Sequence, residues 1–285
     1  VADQLTARGH AVELVPITTH GDIDRRSPIG DIGTTGVFTK ELQRALLDGR
    51  IDVAVHSLKD LPTEEVPGLV LAAVPSRESP RDALISRERL PFASLPSGAK
   101  IGTGSLRRQA QLLYLRPELK IIPIRGNVET RLRKLADGEC DALALAEAGL
   151  KRLGFAERIT ELLGPPQFLP AVGQGALGLE TRTSDECRAI IVQLDDADDH
   201  AAIIAERAFL AAMQGGCSAP IGAFARIGSD KTLHLEGVWL SPDGNERVAA
   251  ALDAPQSEAA ELGRRLAEEI KKRRARPLAP SSNDL

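Results

Sequence analysis

Aromatic side chains make up only 3% of the 285 residues, so the hydrophobic 42% has to build its cores mainly from Leu, Ile, Val and Ala. Cysteine is scarce too. Cys140, Cys187 and Cys217 form no Cys-x-x-Cys pair and leave an odd thiol, which argues against a disulfide framework and for a reducing compartment. No His/Cys cluster has metal-ligand spacing. No run approaches the roughly 20 apolar residues of a membrane span, and no signal peptide is legible. The opening Val1-Ala2-Asp3-Gln4-Leu5 reads as the inside of a helix. With 36 Lys+Arg against 40 Asp+Glu the net charge is −4, which gives no global attraction to nucleic acid. An anionic ligand would have to be held by local arginine clusters.

What is present is a βα rhythm. Residues 12–17 alternate like a strand, and residues 19–36 lack any periodicity and read as a long loop. Residues 38–47 have helical spacing, residues 51–56 and 69–74 read as strands, and residues 75–80 read as a hinge between prolines. A second unit repeats the pattern. Strands are expected at 83–86, 100–103, 120–125 and 141–146, with helices at 105–115, where Ser105 is the cap, and at 130–137. The segment 172–180 is expected to run back to the first unit. After Asp195-Asp196 the composition changes to a helix at 201–213, strands at 221–227, 233–240 and 247–252, and a helix at 258–272, a small α+β unit. The basic tail Lys271-Lys272-Arg273-Arg274-Ala275-Arg276 reads as a solvated helix end, where cations favour the dipole.

Three segments point to chemistry. In Val55-His56-Ser57-Leu58-Lys59-Asp60-Leu61-Pro62 an apolar strand ends in charged groups, where α/β proteins place ligands; a surface ion pair at a strand exit is the plainer reading. In Gly102-Thr103-Gly104-Ser105-Leu106-Arg107-Arg108 a strand passes through a Gly-rich turn into a helix whose first turn carries two arginines. The helix dipole opposes cations there, so an anion is needed to compensate. Arg125 and Arg131 flank the next such turn, at Gly126-Asn127, and Arg152 is grouped with them as a strand-to-helix arginine. Five guanidinium forks at comparable positions suit a ligand with several carboxylates. Cys140 and Cys187 read as small buried hydrophobes. Cys217, in Gln214-Gly215-Gly216-Cys217-Ser218-Ala219-Pro220, lies on a shaped loop and fits a nucleophile or an attachment point.

These segments, with Ala148-Gly149-Leu150-Lys151-Arg152-Leu153-Gly154, residues 173–180 and residues 206–225, resemble the hydroxymethylbilane synthase (porphobilinogen deaminase) family in order and spacing over nearly the whole chain. The resemblance implies an α/β protein with two periplasmic-binding-protein-like (type II) domains of mixed, mainly parallel sheets and a small C-terminal α+β domain. Domain 1 would span 1–75 and 173–195, domain 2 76–172, and the C-terminal domain 196–285. It further implies a cytoplasmic monomer that joins four porphobilinogen molecules head to tail with loss of ammonia, and has neither nucleic acid nor membrane as partner.

The same resemblance implies a dipyrromethane cofactor attached covalently at Cys217 by a thioether. Lys59, Asp60, Ser105, Arg107, Arg108 and Gly126 would hold that cofactor, and Ser57, Phe38, Arg125, Arg131 and Arg152 the substrate. Asp60 would be catalytic, stabilising positive charge on pyrrole nitrogens and moving protons; burial would raise its pKa and neighbouring cations lower it. Family members carry a further N-terminal strand with an Arg-Gly-Ser turn, and lysines in the mobile loop. Here the strand has no counterpart, and the stretch Ile29-Gly30-Asp31-Ile32-Gly33-Thr34-Thr35-Gly36 holds no lysine. The competing expectations are a non-enzymatic solute-binding or effector domain of the same fold, and an inactive fragment.

Overall fold

A computed structural model describes residues 1–17, 37–214 and 219–275. Helices α1 (Ala2–Ala7) and α2 (Val37–Leu47) precede strands β1 (Ala54–Ser57) and β2 (Leu69–Ala73). Then come β3 (Asp82–Ser86), β4 (Lys100–Gly102), α3 (Leu106–Leu115), β5 (Lys120–Ile122), α4 (Val128–Ala136), β6 (Ala142–Ala146), α5 (Glu147–Arg152) and β7 (Glu161–Leu163). The chain continues through β8 (Leu177–Arg182), α6 (Arg188–Ile191), α7 (Ala197–Ala212), β9 (Ile221–Ile227), β10 (Thr232–Leu240), β11 (Arg247–Pro255) and α8 (Ala259–Arg274).

The described strands form three sheets, ordered β1-β8-β2, β5-β4-β6-β3-β7 and β11-β10-β9. In the first, β8 is antiparallel to both neighbours, so β1 and β2 run the same way. In the second, β4 is parallel to β5 and β6, and β3 is antiparallel to β6 and β7. Each α/β sheet is therefore parallel in direction except for one reversed strand. The reversal has a useful consequence: the first residue of the reversed strand lies at the carboxyl ends of the others. Leu177 of β8 pairs with Ser57, the last residue of β1. Asp82 of β3 pairs with Ala146 and Leu163, the last residues of β6 and β7.

The third sheet is an antiparallel meander whose inner face packs on α7 and α8. Its core contains Phe209, Ala223, Leu233, Leu235, Leu262 and Leu266, aliphatic apart from one ring. Two smaller clusters tie this unit to the rest. Ile203 packs with Leu58, Leu61, Val74 and Ala176 of the first unit, and Val238 and Leu240 pack with Ala110 and Leu169 of the second.

One expected strand is not found. Residues 12–17 pair with no strand among the described residues, and Val12, Leu14 and Val15 stay exposed. Alternation defines a strand only when a neighbouring backbone is there to bond with. The return of residues 172–180 to the first sheet is found in β8. Segment 75–80 does cross between the units, and a second crossing at 171–176 runs beside it, where Glu78 N–H donates to the Gly175 carbonyl at 3.3 Å. The helix end at 271–274 is exposed but engaged: Arg274 lies 3.6 Å from the Trp239 ring centroid, and Lys271 Nζ donates to the Ala212 carbonyl at 2.6 Å.

Candidate active site

At the exit of β1, Leu58 is buried at 1% exposure and its N–H donates to the Ala176 carbonyl at 3.1 Å. Asp60 N–H donates to the Ser57 carbonyl at 2.9 Å, closing a tight turn. The turn leaves Ser57 and Lys59 half-buried and the Asp60 carboxylate exposed. Behind it, buried His56 meets Glu180 at 2.9 Å, and Gln43 donates to the same carboxylate at 3.1 Å. His56 is thus a strand-anchoring group.

Across from this turn stands the start of α3. Ser105 caps it by accepting the Arg108 N–H at 3.4 Å, and Ser105 N–H donates to the Thr103 hydroxyl at 3.2 Å. Arg107 and Arg108 in its first turn are both buried, and the compensating anion is Asp82, with 0% exposure. Arg107 donates to Asp82 Oδ2 at 2.7 Å and to Oδ1 at 3.3 Å. The Nε of Arg108 reaches Oδ1 at 2.8 Å. The two guanidiniums hold the Asp82 carboxyl down at a pKa of about 2, against a burial that pushes it up. Among the described residues Arg107 Nε is buried without an acceptor.

The two exits meet electrostatically. Burial first, and then the Arg108 charge, depress the Lys59 pKa, while Asp60 and Asp82 counter them. Arg131 is likewise depressed by burial and by Arg108, and its Nε donates to the Gly126 carbonyl at 2.8 Å. Gly126 has φ +109°, and a Cβ there would sit 2.7 Å from the Thr130 side chain, so this turn demands glycine. Lys59 is therefore coupled by charge to Asp60, Asp82, Arg107 and Arg108, and Arg131 to Arg108, four cations against two carboxylates. This excess of cations fits a polycarboxylate ligand of the dipyrromethane type.

Arg125 is exposed at the turn before Gly126. Arg152 is the last residue of α5, not a strand-to-helix junction; the helix there is short, and the guanidinium reaches the Gly175 carbonyl at 3.2 Å. Cys140 is buried, whereas Cys187 is only half-buried beside the first sheet's core. Phe38 lies in α2, its side chain outside the described residues, as are Cys217 and the loop 19–36. Sequence reading passed over Asp82, Gln174 and Glu206. A lone acid opening the wholly buried strand Asp-Ala-Leu-Ile-Ser, and another inside the apolar run of α7, are the signals that point to buried partners.

A family model described as "Porphobilinogen deaminase, dipyromethane cofactor binding domain" matches residues 1–189, and "Porphobilinogen deaminase, C-terminal domain" matches residues 200–272. The chain belongs to the porphobilinogen deaminase family. It is 50% identical over 263 residues to the porphobilinogen deaminase of Syntrophotalea carbinolica, covering 92% of this chain and 83% of that one. The relative in Thermobifida fusca is 48% identical over 281 residues, 95% of this chain and 87% of that one. Membership makes the chain a transferase of tetrapyrrole biosynthesis with a dipyrromethane cofactor, and the enzymatic reading is the one its relatives share. Among solved structures, a Salmonella typhimurium periplasmic binding protein described for high arginine specificity aligns with TM-score 0.33 and 16% identity over 55% of this chain and 70% of that one. No helix among the described residues is long and apolar enough to cross a membrane.

Proposed function

We propose that the cluster between the β1 and β4 exits is the pyrrole-condensing site: four porphobilinogen molecules are joined head to tail with release of ammonia, and water frees the linear hydroxymethylbilane. The observation that carries this is that Lys59, at the β1 exit of one unit, feels the charges of Arg108, Asp82 and Arg107 at the α3 start of the other. When bound through Cys217, the dipyrromethane would supply the free pyrrole α-carbon from which the chain is extended.

The chain's own groups divide the remaining work. Asp60, exposed at the mouth of the turn, accepts pyrrole N–H hydrogen bonds, stabilises the positive charge left when ammonia departs, and takes up the proton released on coupling. Lys59, Arg107, Arg108 and Arg131 bind the acetate and propionate arms; Ser57, Arg125, Arg152 and Phe38 serve the incoming substrate. Ser105 acts through the helix cap that aims Arg108. Gly126 lets the backbone approach. Covalent attachment at Cys217 would make the growing end an intramolecular reactant with respect to the site.

The same reading divides the chain into domain 1 (1–75 and 173–195), domain 2 (76–172) and a C-terminal domain (196–285), supported by the return of β8 to the first sheet. It takes the protein as a cytoplasmic monomer acting on a small molecule. Asp60→Asn tests the assignment: turnover is lost while the melting curve is unchanged. Retained turnover refutes the role of Asp60.

A further inference from the structure

We propose that Asp82 is a positioning residue for this reaction, holding the Arg107 and Arg108 guanidiniums in a single orientation toward the cleft. The proposal rests on the reading of those arginines as ligand-holding groups. Asp82 opens β3, the reversed strand, so the topology delivers its carboxylate to the end of the sheet where β4 releases the two arginines.

The contacts are those of a template. Oδ2 receives Arg107 Nη1 at 2.7 Å, and Oδ1 receives Arg107 Nη2 at 3.3 Å and Arg108 Nε at 2.8 Å, with Arg108 Nη2 ion-paired to it at 2.7 Å. Gln174 Nε2 donates to Oδ1 at 3.0 Å. Backbone carbonyls finish the fixing: Leu169 takes Arg107 at 2.7 Å and Ala144 takes Arg108 at 3.3 Å. Among the described residues Arg107 Nε is buried without an acceptor, so the geometry of the pair is set by its other nitrogens. Guanidiniums ordered in advance by the protein's own carboxylate and carbonyls lose less entropy when they meet a ligand.

Gln174 links this template to the crossing between units. Its Nε2 also donates to the Pro80 carbonyl at 2.7 Å, its Oε1 accepts from Arg108 at 3.3 Å, and its own carbonyl accepts Arg77 Nε at 2.9 Å. The direction in which the arginines point is thereby tied to the path of both crossing segments.

Steady-state kinetics with porphobilinogen and intact mass of the purified full chain test the proposal. Asp82→Glu keeps the buried charge but displaces both guanidiniums by a methylene. The expected result is a KM raised about fivefold or more, with kcat within about twofold, and a melting temperature close to the parent's. In Asp82→Asn the share of chains carrying the cofactor mass falls about tenfold. Should Asp82→Asn fail to fold, Asp82→Glu still decides. A parental KM and cofactor share in Asp82→Glu overturns the proposal, even where the melting temperature falls. Arg107→Lys and Arg108→Lys separate the two claims. If they lose affinity while Asp82→Glu does not, only the role of Asp82 fails. If they too behave as the parent, the ligand-holding reading fails and the proposal with it.

Discussion

Arg77 grips Glu206 through two hydrogen bonds, of 2.7 and 3.2 Å, with side chains 5% and 0% exposed. Arg77 lies on one crossing segment and Glu206 in α7 of the C-terminal unit. The same carboxylate accepts the Gly173 N–H of the other crossing and the Ala225 N–H of β9, each at 2.8 Å. Arg77 also lies 5.6 Å from the Phe224 ring centroid. One buried carboxylate therefore joins both crossings to the unit whose helix leads toward Cys217.

Glu206→Ala leaves the Arg77 guanidinium buried and uncompensated, which costs about 3–5 kcal/mol. Urea unfolding is expected to show a lower midpoint. A loss below about 1 kcal/mol would mean that water or another acid replaces the carboxylate.

Acid has a defined effect through Asp82. Its folded pKa of about 2 lies below the ordinary 3.8, so its stabilising contribution is fully present above pH 3.8 and is lost as pH falls toward 2. The contribution is roughly 2 kcal/mol. Stability measured from pH 5 down to 2 should fall less steeply in a folded Asp82→Asn variant than in the parent, and equal slopes contradict the assignment.

Lys59 behaves in the opposite sense. Its folded pKa is depressed below 10.5, so the folded state carries a penalty at neutral pH that is relieved as pH rises through that depressed value. Lys59→Met is expected to be slightly more stable than the parent at pH 7, by about 1 kcal/mol or less, while losing affinity for its anionic ligand. A stability loss together with unchanged affinity would remove Lys59 from the site.

Gly175 lies where the two crossings touch. With φ +88° and a would-be Cβ only 2.3 Å from the Glu78 carbonyl oxygen, Gly175→Ala should cost more than about 2 kcal/mol, read by thermal unfolding. Gly149→Ala, inside α5 with nothing within 4 Å of the added carbon, should instead stabilise by about 0.5–1 kcal/mol.

Local patterns were read well where local forces decide. The Ser105 cap and the helix behind it follow from cap chemistry, and the strand at 221–227 coincides with β9 because its neighbours in the meander are its neighbours in sequence. Residues 12–17 show the limit, since alternation there says nothing about the presence of a partner strand. The arginine pair called correctly for an anion, but the protein's own Asp82 supplies one, from a strand that only the reversed topology brings close. Arg152 shares its composition with Arg125 and Arg131 but sits at a helix end, a difference that turns on the shortness of α5.

Intact mass spectrometry of the purified full chain tests the central claim most directly. The account predicts a mass above that of the sequence by one dipyrromethane, with the excess absent in Cys217→Ala. An active, well-folded chain of unmodified mass, or an adduct that persists in Cys217→Ala, would contradict it.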